Sequence, residues 1–134
     1  MIAVYHAPVN RTLPAILLAC ALLLAGCTDE KPAASRPSPD QYSRSGCRGV
    51  AYEVERNSHF WAGSATAGTR ASGSSDPDVR AAGLELAKVA KEAGELDVSS
   101  HGKADMTQAE ARIAEAQQKL MTACRGLLGE PPWS

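Results

Sequence analysis

Four cysteines, three histidines and one Ser-x-x-Lys tetrapeptide are the side chains in this sequence able to do chemistry beyond ordinary solvation. The thiols are Cys20, Cys27, Cys47 and Cys124, and no two form a Cys-x-x-Cys pair. Such a pair would have pointed to redox exchange or to zinc. His59 and His101 lie 42 residues apart, in no metal-ligand spacing, and read as surface or capping histidines. Cys27 is placed differently from the other three. It closes Leu24-Ala25-Gly26-Cys27, directly behind the apolar run Leu13–Ala25, and no Asp or Glu occurs in residues 1–26.

That run is 13 residues long, against the roughly 20 that a helix needs to span a bilayer. With Arg11 and the amino terminus as a short positive region, it has the proportions of an export signal rather than of a membrane anchor. Leu24-Ala25-Gly26-Cys27 resembles the lipobox of bacterial lipoproteins. The resemblance implies a diacylglycerol on the Cys27 sulfur, cleavage before Cys27, further acylation of the palmitate kind and a chain held at the extracytoplasmic face of the cell membrane. Acyl chains contribute about 0.8 kcal/mol per buried CH2, and two or more anchor stably. The Ala/Gly/Arg-rich wording is similar in style to small lipoproteins of high-GC Gram-positive bacteria. The resemblance covers about 27 residues and implies nothing about the chemistry of the rest.

Cleavage would remove one Arg and no acid, taking the net charge from −1 to −2. No basic excess remains, so nucleic acid is not an expected partner. Aromatic residues make up only 4% of the chain, and a core of Ala, Val and Leu is thin for a domain this small. With Cys20 removed and Cys27 acylated, Cys47 and Cys124 remain in a compartment where disulfides persist. A structural disulfide between them is the expectation. A redox or metal role, and two free or intermolecular thiols, are the alternatives.

The elements that would position these residues are helical. Residues 27–37 contain Lys, Pro, Ala, Ser and acids with no apolar periodicity and read as a disordered tether, and residues 38–134 as one small domain. Ser38-Pro39-Asp40-Gln41 is a helix-start signal, with Ser38 as cap, and predicts a first helix over about 39–62. Cys47, Val50, Ala51, Val54 and Trp61 share one face of it. Residues 49–56 also alternate as a strand would, but nothing else in the chain offers a partner strand. Gly63–Ser75 reads as a flexible connection. Asp76-Pro77-Asp78 predicts a second helix over 77–94, with Gly94 ending it and Leu96 and Val98 tucked under the connection that follows. Thr107-Gln108-Ala109-Glu110 matches a capping box and predicts a third over 107–128, carrying Cys124 inward. The fold expected is all-α: a small three-helix bundle closed by a disulfide, preceded by a cleaved signal peptide and a tether.

Little of this domain suggests catalysis. Ser100-His101-Gly102-Lys103 has the Ser-x-x-Lys spacing of penicillin-binding enzymes, but their companion motifs and size are missing. No phosphate loop, dinucleotide fingerprint or Gly-x-Ser-x-Gly occurs. No catalytic residue, metal ligand or cofactor is therefore assigned. Tyr52, Phe60, Trp61 and Trp133 are the candidate interaction residues, because aromatics dominate contact energetics. The function expected is a membrane-anchored, non-enzymatic module contacting an envelope protein or a cell-wall polymer. The alternative is a sensor for a small ligand or metal, with a pocket lined by Tyr52, His59 and Trp61.

Overall fold

The computed structural model describes residues 38–134. The signal segment, Cys27 and the tether fall on residues 1–37, outside the described residues. Within residues 38–134 the domain is built of four helices: α1 Gln41–Glu55, α2 Trp61–Ser72, α3 Pro77–Ser99 and α4 Thr107–Leu128. Among the described residues there is no strand: residues 49–55 are helical and Arg56 caps the end of α1. None of these helices is long and apolar enough to cross a membrane.

The expected three-helix bundle is thus a four-helix one, and the long first helix is two. The chain reverses at Arg56–Phe60, where Asn57 takes a positive φ of 50°, a conformation that Asn tolerates better than most residues. The stretch read as a flexible connection is mostly helix α2. Its buried positions are Ser64, Ala67, Gly68 and Ala71, the spacing of a helix face, here filled with small residues instead of large apolar ones. Alanine is the strongest helix former, and small side chains let backbones meet closely. A Cβ on Gly46 of α1 would lie 2.6 Å from Ala71. One on Gly68 would lie 2.5 Å from the Ala87 amide of α3. Residues resembling a linker by composition thus form a helix packed closely against both α1 and α3.

Successive helices are antiparallel. Gly46 faces Ala71 and Gly49 faces Ala67; Gly68 faces Ala87, and Gly94 faces Trp61. Between α3 and α4, Lys119 bonds Glu85 at 2.7 Å and Arg112 bonds Glu92 at 2.8 Å. The arrangement is up-down-up-down with short connections. Cys47 and Cys124, both fully buried, close α1 onto α4 through a disulfide with Cα atoms 5.7 Å apart. The bond spans 77 residues, and the chain-entropy relation gives about 4.5 kcal/mol for a loop of that size. The core adds only a few large apolar side chains, chiefly Val50, Val79, Leu86, Ile113 and Leu120.

The helix starts differ from expectation in which residue caps. Asp40, not Ser38, caps α1, accepting from the Ser43 amide at 2.7 Å. Its second oxygen accepts from the Ser75 amide, also at 2.7 Å, tying the start of α1 to the link before α3. These amides, the Ser43 one foremost, hold the Asp40 carboxyl well below the usual carboxylate range, against a smaller opposing effect of desolvation. Asp76 caps α3 as expected, with Pro77 in the first turn. The capping box at Thr107 does not form; Met106 occupies the cap, and the Asp105 carboxylate accepts from the Thr107 amide instead. Helix α3 continues past Gly94 to Ser99, which leaves Leu96 and Val98 exposed rather than tucked in.

Candidate functional site

Trp61 opens α2 and is held from two sides. Its indole lies on Gly94 of α3, where an added Cβ would approach Cε3 to 2.8 Å. Gly94 is therefore the seat of this ring and not the end of α3. The indole Nε1 donates to Asp97 Oδ2 at 3.1 Å, one helical turn further along α3. Phe60 packs beside it with ring centroids 5.3 Å apart and planes tilted by 45°, an offset geometry that aromatic pairs favour.

The link before Trp61 is pinned from α4. Gln117 is fully buried and donates through Nε2 to the Ser58 carbonyl at 2.8 Å and to the buried Ser64 hydroxyl at 3.0 Å. Its Oε1 lies 2.9 Å from His59 Nδ1. A carbonyl can only accept, so the Ser58 bond fixes which end of the amide is which. Oε1 must then face His59, and His59 Nδ1 must carry the proton. The neutral ring consequently has its lone pair on Nε2.

These residues frame a cleft of about 200 Å3 lined by His59, Phe60, Trp61, Asp97, Met106, Glu110 and Ile113. Trp61 also lines a wider, open groove of about 640 Å3 between α2 and α3, with Ala65, Gly94 and Val98 as its apolar floor and Lys91, Glu95 and Ser99 at its edge. Phe60 and Val98 are 58% and 68% exposed. The two concavities share one tryptophan.

Of the residues expected to meet partners, the structure brings Phe60 and Trp61 together and separates the others. Tyr52 is exposed on α1, stacked under the Arg56 guanidinium at 4.2 Å. It lines a different groove with Arg48, Gly63 and Arg70, so the expected pocket of Tyr52, His59 and Trp61 does not exist as one site. The helix break at residues 56–60 is the reason: it places Tyr52 and Trp61 on different helices. Trp133 folds back, half-buried against the core, and its Nε1 donates to the Gly129 carbonyl at 2.9 Å. Ser100 of the Ser-x-x-Lys tetrapeptide ends α3, its hydroxyl bonded to the Asp97 carbonyl and the Ala104 amide. His101 and Gly102 take positive φ in the turn that follows.

Sequence reasoning missed Gln117, Asp97, Gly94 and Glu110. Gln117 carried a signal, since it stands one turn after Ile113 on the otherwise apolar stripe of α4. A polar residue there must find partners. Asp97 and Gly94 were hidden by ending α3 too early. No three His, Cys, Asp or Glu side chains among the described residues are placed to hold a metal ion. No protein-family model, no curated protein and no solved structure matches this chain.

Proposed function

We propose that the chain is a lipid-anchored, extracytoplasmic and non-enzymatic binding module that contacts an envelope protein or a cell-wall polymer through the groove between α2 and α3. The observation that carries this is the groove itself: an open apolar floor of Trp61, Ala65, Gly94 and Val98 with charged and polar edges. An apolar centre with a polar rim and a fixed aromatic is what contact surfaces use. The anchor rests on Leu24-Ala25-Gly26-Cys27.

Two measurements test it on the full chain in cells. A fatty-acid probe should label the wild type and not Cys27→Ala; label surviving that change removes the anchor. A photo-crosslinking residue at Val98 should trap an envelope component, and Ala65→Glu on the groove floor should abolish the adduct. An adduct indifferent to Ala65→Glu would mean that the groove is not the contact. A second reading, a small-ligand sensor, is favoured by the narrower cleft beside Trp61.

A further inference from the structure

We propose that the cleft bounded by His59, Phe60, Trp61, Asp97, Met106 and Glu110 binds a small organic cation, an alkylammonium group of the size of a lysine side-chain end. This deepens the small-ligand reading and rests on it; it depends neither on the lipid anchor nor on a protein partner.

Charge selects the class. Two carboxylates, Asp97 and Glu110, line the cleft, and no Lys or Arg does. An anion would be repelled there. A bare metal ion would need three ligands converging on one point, and His59, Asp97 and Glu110 are not placed to do that. An organic cation needs less: negative charge nearby, aromatic faces and an apolar wall. Phe60 and Trp61 supply two ring faces at an angle, and cations are drawn to such faces within about 6 Å of the ring centre. Met106 and Ile113 supply the apolar wall.

Hydrogen bonding selects an N–H donor. Trp61 Nε1 takes one Asp97 oxygen, Oδ2, and leaves Oδ1. Gln117 takes His59 Nδ1 and so fixes the ring at the cleft wall. Asp97 and Glu110 offer acceptors, not donors, which suits the N–H hydrogens of a primary ammonium. The site is built in advance, because Trp61 is fixed by Gly94 and Asp97, and His59 by buried Gln117. Preorganisation lowers the cost of binding. Size limits the rest: about 200 Å3 is below the roughly 300–1,000 Å3 of sites for drug-sized ligands. A free amine and an ammonium on a peptide side chain both fit this description.

The test is titration of the isotopically labelled full chain in detergent micelles, following the indole N–H signals of its two tryptophans, with Trp133→Phe to assign Trp61. The probes are n-butylammonium, n-butanol and n-butyrate, followed by a lysine-containing tripeptide against its norleucine counterpart. Butylammonium should shift the Trp61 indole saturably, with a Kd on the order of millimolar. Glu110→Gln should weaken it about three- to tenfold, and Asp97→Asn combined with Glu110→Gln should remove saturation. Preference of the lysine peptide over free amine would assign the source to a protein side chain, and the reverse to a metabolite. Equal shifts by butanol or butyrate, or unchanged affinity in the double variant, would overturn the ammonium assignment but leave a small-ligand site. No shift by any probe would remove both.

Discussion

Replacing Gly68 by alanine should destabilise the domain, although helix propensity alone says the opposite. Alanine is favoured over glycine by about 1 kcal/mol in a helix interior, and α2 is an ordinary helix at this position. The obstacle is α3. The added Cβ would stand 2.5 Å from the Ala87 amide nitrogen, 2.9 Å from the Gly83 carbonyl oxygen and 3.0 Å from Ala87 Cα. All three are backbone atoms, and no side-chain rotation clears them. The helices must separate by roughly 0.5–1 Å, a gap at which interface contacts lose a quarter to a half of their dispersion energy. Overpacking of this kind costs about 1–3 kcal/mol, and more where backbone must move. The net expectation is a loss of about 1–2 kcal/mol after the propensity gain. Gly49→Ala is the control: its Cβ would meet only Ala67, at 3.1 Å from a methyl and 3.4 Å from Cα. It should be neutral or stabilise by up to about 1 kcal/mol. Urea unfolding followed by far-ultraviolet circular dichroism, with the disulfide intact, measures both. In heating experiments Gly68→Ala should lower Tm by about 4–15 °C, at about 4–8 °C per kcal/mol for a domain of this size. A Gly68→Ala protein as stable as wild type, or a Gly49→Ala protein equally damaged, would refute the close-approach account of α2.

Two further perturbations address the ties between the helices. Cys47→Ala with Cys124→Ala should cost about 4.5 kcal/mol, the entropy of a 77-residue loop, read as a fall in the urea midpoint; a loss under about 1 kcal/mol would mean that the bond is not what holds α1 to α4. Asp40 has its folded-state pKa lowered by the Ser43 and Ser75 amides, so its stabilisation is complete above the ordinary carboxylate value and is lost as pH falls below it. Urea midpoints should therefore decline on acidification through about pH 4, and Asp40→Asn should flatten that decline. Asp40→Ala should cost about 1 kcal/mol at neutral pH as a lost cap. An acid limb unchanged in Asp40→Asn would show that other carboxylates set it.

The parts of this molecule legible in the sequence were those written in large apolar residues and in caps with one meaning. Ile113, Ala116, Leu120 and Cys124 are buried along α4, and Val79, Leu86 and Val89 along α3, as their spacing predicts. The Cys47–Cys124 bond is the pairing expected once Cys20 is assigned to an export signal and Cys27 to the lipobox resemblance. Helix α2 was illegible because periodicity was sought in hydrophobicity, which its small residues do not carry. Ser64, Ala67, Gly68 and Ala71 are spaced like a helix face, but Ala62, Gly63, Ala65 and Ser72 beside them are as small, so neither hydrophobicity nor size marks the buried side. The start of α1 failed for another reason. Ser38 and Asp40 are both good caps, and Asp40 gains a second bond that local sequence does not show, from the Ser75 amide 35 residues away in the chain.

The site was half legible for the same cause. Phe60 and Trp61 stood out as aromatics in a chain with few, but their surroundings depend on where α2 begins. The reversal at residues 56–60 removes Tyr52 from the group and delivers Trp61 to Gly94 on α3. That placement requires α2 to lie against α3 with almost no side-chain spacer, which the pairs Gly68–Ala87 and Ala71–Gly83 provide. A larger residue at either contact would lift the start of α2 away from α3. The indole would then leave both its seat and Asp97, and His59 and Phe60, joined to it in sequence, would move with it. Gln117 resists that movement from the other side, because its two donated bonds hold Ser58 and Ser64 to α4. The cleft and the groove are thus consequences of one packing solution. A chain poor in large apolar side chains brings its backbones close instead, and the first residue of its smallest helix is where that closeness leaves an aromatic ring fixed and partly open to solvent.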